Sequence, residues 1–215
     1  MKKEIVILTK SIKHGGFCVA GIAIDTGLWI RLVSDDDDDD EAEGAVSKNM
    51  LQYSNGEEVA VYDIIEVELI RAVPTSVQPE NWLYDKTSPW EKKGISVLQD
   101  VINLHGYDSP EYVFGNTEVS LPAEWQFKGE PSLLLLEVSE AYIWIKTFPE
   151  KKSVTLNFEY NGQKYNYIKI SQKEIKGMMR SDGSHYIGKR SIVISLTDQY
   201  YYNDKYYKVI AQILD

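Results

Sequence analysis

The chain has 215 residues, one cysteine and a formal net charge of −10, and 43% of its residues are hydrophobic. A single cysteine excludes a scaffold held by internal disulfides, whereas the apolar fraction is sufficient for one or two folded domains. No apolar run approaches the roughly 18 residues of a membrane span. The run Ile5–Leu8 is also shorter than the ~7–15 residues of a signal-peptide core. We therefore predict a soluble, cytoplasmic protein without a membrane partner.

The negative charge is concentrated in one segment. Residues 35–43 carry eight acidic groups and no basic group, so the remainder of the chain sums to −2. Like charges at this density repel one another and stay solvated. Their spacing lacks the turns that aim carboxylates at one cation. We expect a poorly ordered loop that binds no metal.

The first half of the chain begins with a predicted meander of three strands. Short runs rich in β-branched residues lie at 4–10, 17–24 and 28–34. The polar, glycine-containing loop Ser11–Gly16 separates the first two, and Asp25–Gly27 gives a hairpin signal before the third. This pattern predicts an antiparallel sheet at the start of the chain.

Four further segments complete the first half. Residues 59–73 alternate apolar and polar side chains and predict a long, half-buried strand. Residues 74–90 contain three prolines and predict an irregular segment packed by its own aromatic rings. Residues 90–105 place apolar side chains at near-helical spacing before a glycine, which predicts a helix. Residues 106–131 read as loop.

The second half predicts three strands, a short helix and two strands, at 132–147, 153–160, 163–171, 172–179, 191–197 and 206–214. The turn Asn161-Gly162 is the strongest short hairpin signal in the chain. This element order is that of an OB-fold, a small Greek-key barrel. We predict a mainly β protein of two OB-like small barrels with a short helix in each half, divided into domains 1–128 and 129–215.

Motifs for catalysis are absent from the sequence. It contains no HExxH, CxxC, GxSxG or Walker loop, and its three histidines are far apart. Cys18 is expected to be a core thiol, His105 is expected at the C-terminal cap of the predicted helix, and the polar segment 181–190 is expected to be a loop. We predict no catalytic residue, metal or cofactor, so an enzyme, for example a hydrolase using scattered carboxylates, is the weakest alternative.

Basic and aromatic residues alternate in both halves, and residues 131–215 hold 12 Lys and Arg against 9 Asp and Glu. Single-stranded nucleic acids place phosphates on cations and stack bases on flat rings. OB-folds bind such chains across strands two and three, between the loops joining strands one and two and strands four and five. The predicted nucleic-acid-binding residues are Lys10, Ser11, Lys13, His14, Trp29, Arg31, Lys151, Lys152, Lys189, Arg190, Tyr201 and Lys205.

Trp29 and Arg31 are the most specific of these predictions. They are two residues apart on a strand and share a face, opposite the apolar pair Ile30 and Leu32. We therefore expect Trp29 and Arg31 on the outside, where they would contact a base and a phosphate. The alternative is that segment 74–90 covers Trp29 and that Arg31 pairs with an acidic neighbour.

Both ends of the chain resemble a known family. The opening Ser11-x-Lys13-x-Gly15-Gly16-x-Cys18-x-Ala20-Gly21, followed by Trp29–Ser34, resembles the start of the dual OB-containing domain family. The segment from Ser195–Thr197 through Tyr207–Ala211 resembles its end. The family consists mostly of uncharacterised prokaryotic proteins. The resemblance implies two OB-like barrels and a nucleic-acid role, in some members beside genome-conflict systems, and it carries over no enzymatic residue.

Two functions follow from these patterns. The first is a non-catalytic module that binds single-stranded or modified nucleic acid. The alternative is a sensor domain for a small molecule or a peptide, because small barrels also hold such ligands. Salt separates the two, since phosphate contacts make affinity fall steeply with ionic strength and neutral ligands do not.

Overall fold

The chain folds into two compact units of β-structure. The first comprises residues 1–106 with 129–132, and the second comprises 107–128 with 133–215. A computed structural model describes the following residues: 1–13, 15–35, 44–125, 129–149, 151–172, 175, 181–198 and 203–214. Within them it contains twelve strands and one α-helix.

The first unit is a closed barrel. Its elements are β1 (Lys2–Lys13), β2 (Gly16–Ala23), β3 (Trp29–Val33), β4 (Asp63–Ala72), β5 (Asn81–Tyr84), β6 (Glu91–Ile95) and the helix α1 (Leu98–Leu104). The strand order is β1-β2-β3-β5-β4, and β4 pairs again with β1. All of these pairs are antiparallel except β3 with β5. This connectivity is that of an OB-fold.

Alternation along the strands builds the core of this barrel. In β4, Ile65, Val67 and Leu69 point inward while their neighbours stay partly exposed, as the sequence pattern predicts. Tyr84 and Trp90 meet edge to face at 5.5 Å between ring centroids, and both are buried. This geometry suits the quadrupoles of two aromatic rings, and it joins the last residue of β5 to the residue before β6.

Two predictions for residues 74–105 are wrong. The segment predicted as irregular contains β5, a four-residue strand parallel to β3. The helix predicted over 90–105 is a strand, β6, followed by the seven-residue α1. The cause is tertiary: β6 gains ladder hydrogen bonds to the edge of β4, and Gly94 weakens a helix there.

The Gly15-Gly16 pair is structural. Gly15 has a φ of +76°, which an L side chain rarely adopts, and it follows the end of β1. A Cβ at Gly16 would lie 2.7 Å from the carbonyl oxygen of Val46. Phe17 and Val46 exchange both backbone hydrogen bonds at this point. The two glycines therefore allow a tight turn and the close approach of a second chain segment.

The second unit closes in the same order. Its strands are β7 (Ser120–Leu121), β8 (Leu133–Thr147), β9 (Lys152–Tyr160), β10 (Gln163–Ile170), β11 (Gly183–Leu196) and β12 (Tyr206–Leu214). The order β8-β9-β10-β12-β11 returns to β8, with β10 and β12 parallel, and β7 pairs with β12. Both units therefore have OB connectivity, which confirms the predicted fold class.

The hairpin between β9 and β10 forms as predicted. Asn161 and Gly162 both have positive φ, at 49° and 72°, as a tight hairpin turn with this sequence requires. Phe158 and Tyr165 then stack in the core with ring centroids 5.0 Å apart and an interplanar angle of 9°. The turn thus sets a register that brings two aromatic rings together inside the barrel.

Strand β11 is longer than predicted. Residues 183–190, expected within a polar loop, pair with the second half of β8, from Ile145 back to Val138. Bulges on either side of Gly188 break the alternation that would have revealed a strand. The helix predicted over 172–179 lies almost wholly outside the described residues. The acidic residues 36–43 lie wholly outside them. The domain division at 128/129 stays a prediction.

Among the described residues, no helix is both long and apolar enough to cross a bilayer.

Candidate nucleic-acid interface

The outward face of strands two and three is covered in the first barrel. All five residues of β3 are buried, and Trp29 and Arg31 are only 4% and 5% exposed. The prediction that these two side chains are exposed is therefore wrong, whereas Ile30 and Leu32 lie in the core as predicted. The face that OB barrels use for ligands is occupied here by the chain itself.

Arg31 is held by three groups of the same unit. Its Nε lies 3.1 Å from Glu80 Oε1, its Nη2–H donates to Ser132 Oγ at 2.7 Å, and its Nη1–H donates to Cys18 Sγ at 2.8 Å. Glu80 also accepts hydrogen bonds from the backbone N–H and the hydroxyl of Ser132. The alternative interpretation, in which Arg31 pairs with an acidic neighbour, is correct, and that neighbour is Glu80.

Cys18 and Trp29 have contacts that differ from those expected. Cys18 is half-buried and accepts a hydrogen bond from Arg31, so it is not an apolar core thiol. Trp29 meets His105 edge to face, at 5.5 Å between ring centroids. His105 caps the C-terminus of α1 as predicted, and its Nδ1 lies 2.7 Å from the carbonyl oxygen of Gly27. The indole is thus packed inside the fold.

The other predicted residues of the first barrel lie on β1 and the turn after it. Lys10 donates to the carbonyl oxygen of Val59 at 2.7 Å, and Ser11 is buried. Lys13 is half-buried, and His14 lies outside the described residues. Lys10 and Ser11 therefore already have structural environments, and a ligand role for these four residues stays a prediction.

In the second barrel the corresponding face carries exposed side chains within the described residues. Strands β8, β9 and β10 present alternate side chains outward, opposite core residues such as Ile143, Leu156 and Ile168. Four aromatic residues lie on this outer surface of the barrel, which we call the aromatic platform. They are Tyr142, Trp144, Tyr167 and Tyr186.

The ladder register brings the platform together. Tyr142 is paired with Tyr186 across β8 and β11, and their ring centroids are 4.8 Å apart. Trp144 is the next outward residue along β8, and Tyr142 is paired with Asn157 on β9. Trp144, Tyr167 and Tyr186 are 38%, 60% and 59% exposed. A cluster of large exposed rings on one sheet face is a candidate binding surface.

Irregularities in three strands surround the platform. The registers shift next to Glu140 on β8, next to Tyr167 on β10 and on both sides of Gly188 on β11. Glu140 and Tyr167 have φ values of 46° and 60°, which are costly for residues with a side chain. Bulges re-aim side chains and cluster near binding sites. Here the bulge turns Tyr167 outward although Tyr165 and Ile168 both point into the core.

One side-chain hydrogen bond supports this strained backbone. The Tyr167 backbone N–H donates to Asn157 Oδ1 at 2.7 Å, in place of a regular ladder partner. On the same strand, the hydroxyl of Thr155 is buried and has no hydrogen-bond partner within the described part of the chain. Asn157 and Thr155 are therefore the polar residues at the centre of an otherwise aromatic surface.

Lysines lie beside the platform. Lys146, Lys164 and Lys169 are exposed on β8 and β10. Lys146 Nζ lies 5.1 Å from the centroid of the Phe148 ring, and Lys164 Nζ lies 3.6 Å from a Glu159 carboxylate oxygen. Lys169 is opposite Thr155 in the ladder. Cations beside aromatic rings are the combination by which proteins bind single strands.

The five described residues predicted in the second barrel lie at three places in the fold. Lys151 and Lys152 are exposed at the start of β9. Lys189 forms an ion pair with Glu137 at 2.7 Å, and Arg190 follows it on β11 rather than in a loop. Lys205 lies exposed before β12, and Tyr201 lies outside the described residues. Nucleic-acid binding by all six stays a prediction.

An acidic group borders the platform. The Tyr186 hydroxyl donates to Glu140 Oε1 at 3.3 Å, and the carboxylate charge raises the pKa of Tyr186 above its ordinary value. This contact positions the Tyr186 ring and keeps its hydroxyl protonated. The negative charge of Glu140 disfavours a phosphate backbone on this side of the platform. The basic edge of the platform therefore lies on the side of Lys146 and Lys169.

Sequence reasoning missed the platform, although a signal was present. Residues 141–147 alternate Ala141, Ile143 and Ile145 with larger or charged side chains, which is the pattern of a strand with one wet face. An exposed face that contains Tyr142 and Trp144 is therefore visible in the sequence. Tyr167 could not be placed in the same way, because the bulge inverts its expected direction.

Comparison with known proteins agrees with this architecture. The sequence model of a family described as the dual OB-containing domain matches residues 3–213. Neither the curated proteins nor the solved structures give a match. The match spans both barrels, each with the strand order of an OB-fold, and the chain therefore belongs to the dual OB-containing domain family.

Proposed function

We propose that the second barrel binds single-stranded nucleic acid on the aromatic platform and that the protein is a non-catalytic binding module. Bases stack on Trp144, Tyr167 and Tyr186, and the neighbouring lysines receive the phosphates. A base stacked on an aromatic side chain contributes about 1–3 kcal/mol. Three such contacts with a few ion pairs support a specific complex, whether the bases are modified or not.

The observation that carries the proposal is the exposure of three large rings on the outer surface of the second barrel, with Trp144 on strand one, Tyr167 on strand three and Tyr186 on strand four. Water-exposed rings of this size are disfavoured unless a partner covers them. The corresponding face of the first barrel is sealed by Arg31, Glu80 and Ser132. In this proposal the surface that contacts the nucleic acid therefore belongs to the second barrel and not to the first.

The sensor alternative receives less support. The interior of the second barrel is filled by aliphatic and aromatic side chains, among them Ile143, Leu156 and Phe158. A small ligand held inside the barrel would have to displace this core. An outer sheet surface with lysines at its edge is better suited to a charged chain than to a small neutral molecule.

We expect Trp144→Ala to weaken binding of a labelled single-stranded 12-mer by about 5- to 150-fold. The reason is the loss of one stacking surface, worth about 1–3 kcal/mol. Fluorescence anisotropy at fixed salt measures the effect. Trp144→Phe, which keeps a ring, is expected to recover most of the affinity.

Ile95→Ala is the matched control, because Ile95 is an exposed apolar side chain on the first barrel, at 71%. It should leave affinity unchanged. If the wild type and Trp144→Ala bind the 12-mer with equal affinity, the platform is not the binding surface.

Lys169→Ala tests the phosphate contact. For single strands the slope of log K against log salt is about −0.7 per phosphate neutralised. We expect the variant to reduce this slope by about 0.7, with affinity measured at four or more salt concentrations. Lys2→Ala, an exposed lysine of the first barrel, should leave the slope unchanged. A slope near zero in the wild type would favour the neutral-ligand sensor.

A further inference from the structure

The bulge in β10 sets two residues against one residue of β9. Between the paired residues on either side, β10 contributes Asn166 and Tyr167, whereas β9 contributes only Asn157. A bulge of this kind leaves one residue without its regular ladder partner. The backbone N–H of Tyr167 donates instead to Oδ1 of Asn157, at 2.7 Å. The side chain of Asn157 therefore supplies the acceptor that the backbone of β9 does not.

Tyr167 has a backbone conformation that a tyrosine disfavours. Its φ of 60° lies in the left-handed region, which glycine adopts without steric cost. Its side chain is exposed, and within the described part of the chain its hydroxyl has no hydrogen-bond partner. The core of the barrel therefore gains little from a tyrosine at this position. Strain of this kind persists where the surrounding structure holds it, and it clusters at ligand contacts.

We infer that Asn157 is a positioning residue, which raises the affinity of the platform for single-stranded nucleic acid by holding the Tyr167 ring outward. This inference rests on the proposed function. Without the acceptor of Asn157, β10 gains from a shift toward the regular ladder, in which residue 167 would point into the barrel. Affinity falls in proportion to the fraction of molecules that keep the ring outward.

Asn157→Leu tests this role, because it removes the acceptor and keeps a side chain of similar size. We expect it to weaken binding of the labelled 12-mer by about three- to tenfold, the equivalent of one net hydrogen bond. Asn157→Asp keeps an oxygen that accepts the Tyr167 N–H, but it adds a negative charge. Asn166→Asp is the matched control, since it adds the same charge to the other exposed residue of the bulge. The two Asp variants should bind within about twofold of each other.

A double variant distinguishes positioning from direct contact. Tyr167→Ala alone should weaken binding by about 5- to 150-fold, through the loss of one stacking surface. If Asn157 acts through Tyr167, adding Asn157→Leu to Tyr167→Ala should weaken binding no further. If the added change instead costs as much as Asn157→Leu costs alone, Asn157 contacts the nucleic acid itself and the positioning role is wrong.

Hydrogen exchange of the Tyr167 amide, followed by NMR, tests the same contact without any oligonucleotide. Asn157 is not a sequence neighbour of Tyr167, so its replacement leaves the intrinsic exchange rate of this amide unchanged. The amide should exchange about tenfold faster in Asn157→Leu than in the wild type, and Asn157→Asp should keep most of the protection. Equal rates in all three proteins would overturn the inference, because the side-chain hydrogen bond would then not hold the bulge.

The outcomes separate this inference from the proposed function. If the wild-type protein does not bind the 12-mer, the proposed function is wrong and the positioning role is wrong with it. If the wild type and Asn157→Leu bind equally well, the hydrogen bond serves only the fold, and the proposed function remains. If Asn157→Leu does not fold, Asn157→Ala takes its place, since it removes the acceptor without adding bulk. Weaker binding with a faster amide, both restored in Asn157→Asp relative to its control, supports the positioning role.

Discussion

Replacing Arg31 with alanine is expected to lower the free energy of unfolding by about 3–5 kcal/mol and to leave oligonucleotide affinity unchanged. The Arg31 and Glu80 side chains are both buried, and they share Ser132. Removal of the guanidinium leaves the Glu80 carboxylate buried without its counter-charge. Urea denaturation of the variant and the wild type measures the difference.

Two further variants separate charge from packing. Lys93→Ala removes an exposed lysine that pairs with Glu91 at 2.8 Å, and it should shift the urea midpoint far less than Arg31→Ala does. The double variant Arg31→Met/Glu80→Leu removes both buried charges and should regain part of the lost stability. If Arg31→Ala instead unfolds like the wild type and reduces the salt slope of oligonucleotide binding, Arg31 is a phosphate contact after all.

The behaviour of β3 shows where sequence reasoning ends. Alternation correctly placed Ile30 and Leu32 in the core, because the inside of a barrel follows directly from the period of a strand. The same alternation predicted that the opposite face of β3, which carries Trp29 and Arg31, is exposed to solvent. Arg31 is buried there because Glu80 and Ser132 reach it from 49 and 101 residues away. Because the residues that cover Arg31 are so distant in sequence, the local pattern of β3 cannot indicate that Arg31 is buried.

The second barrel was the more predictable of the two. Five of its strands had clear alternation, and the Asn161-Gly162 turn set the register of the β9–β10 hairpin. The part that was missed, residues 183–190, is interrupted by the bulges at Gly188. Bulges destroy the period on which the prediction depends, and they are also the features that shape the platform. The least predictable segments are thus those nearest the candidate site.

A buried lysine gives the second barrel a testable pH dependence. Lys208 is 1% exposed, and its Nζ donates to the backbone oxygen and to Oδ1 of Asn116, at 2.6 and 2.7 Å. It also lies 5.5 Å from the centroid of the Tyr165 ring. Burial lowers the pKa of Lys208 from 10.5 to about 7, and the carboxylate of Glu118 opposes this shift.

The free energy of unfolding is therefore expected to rise between pH 7 and pH 10, by up to about 4 kcal/mol from Lys208. In this window the unfolded chain still binds the lysine proton and the folded chain has released it, so higher pH favours the folded state. Above about pH 10.5 the gain from Lys208 ends, because the unfolded chain also releases the lysine proton. Burial raises the pKa of Tyr165, so the unfolded chain loses that phenol proton first and higher pH then favours unfolding. Urea midpoints at pH 7, 8, 9 and 10 measure the rise, which Lys208→Met should abolish and the exposed Lys205→Met should retain. Wild-type stability that stays flat over this range would show that the two oxygens of Asn116 keep the ammonium charged.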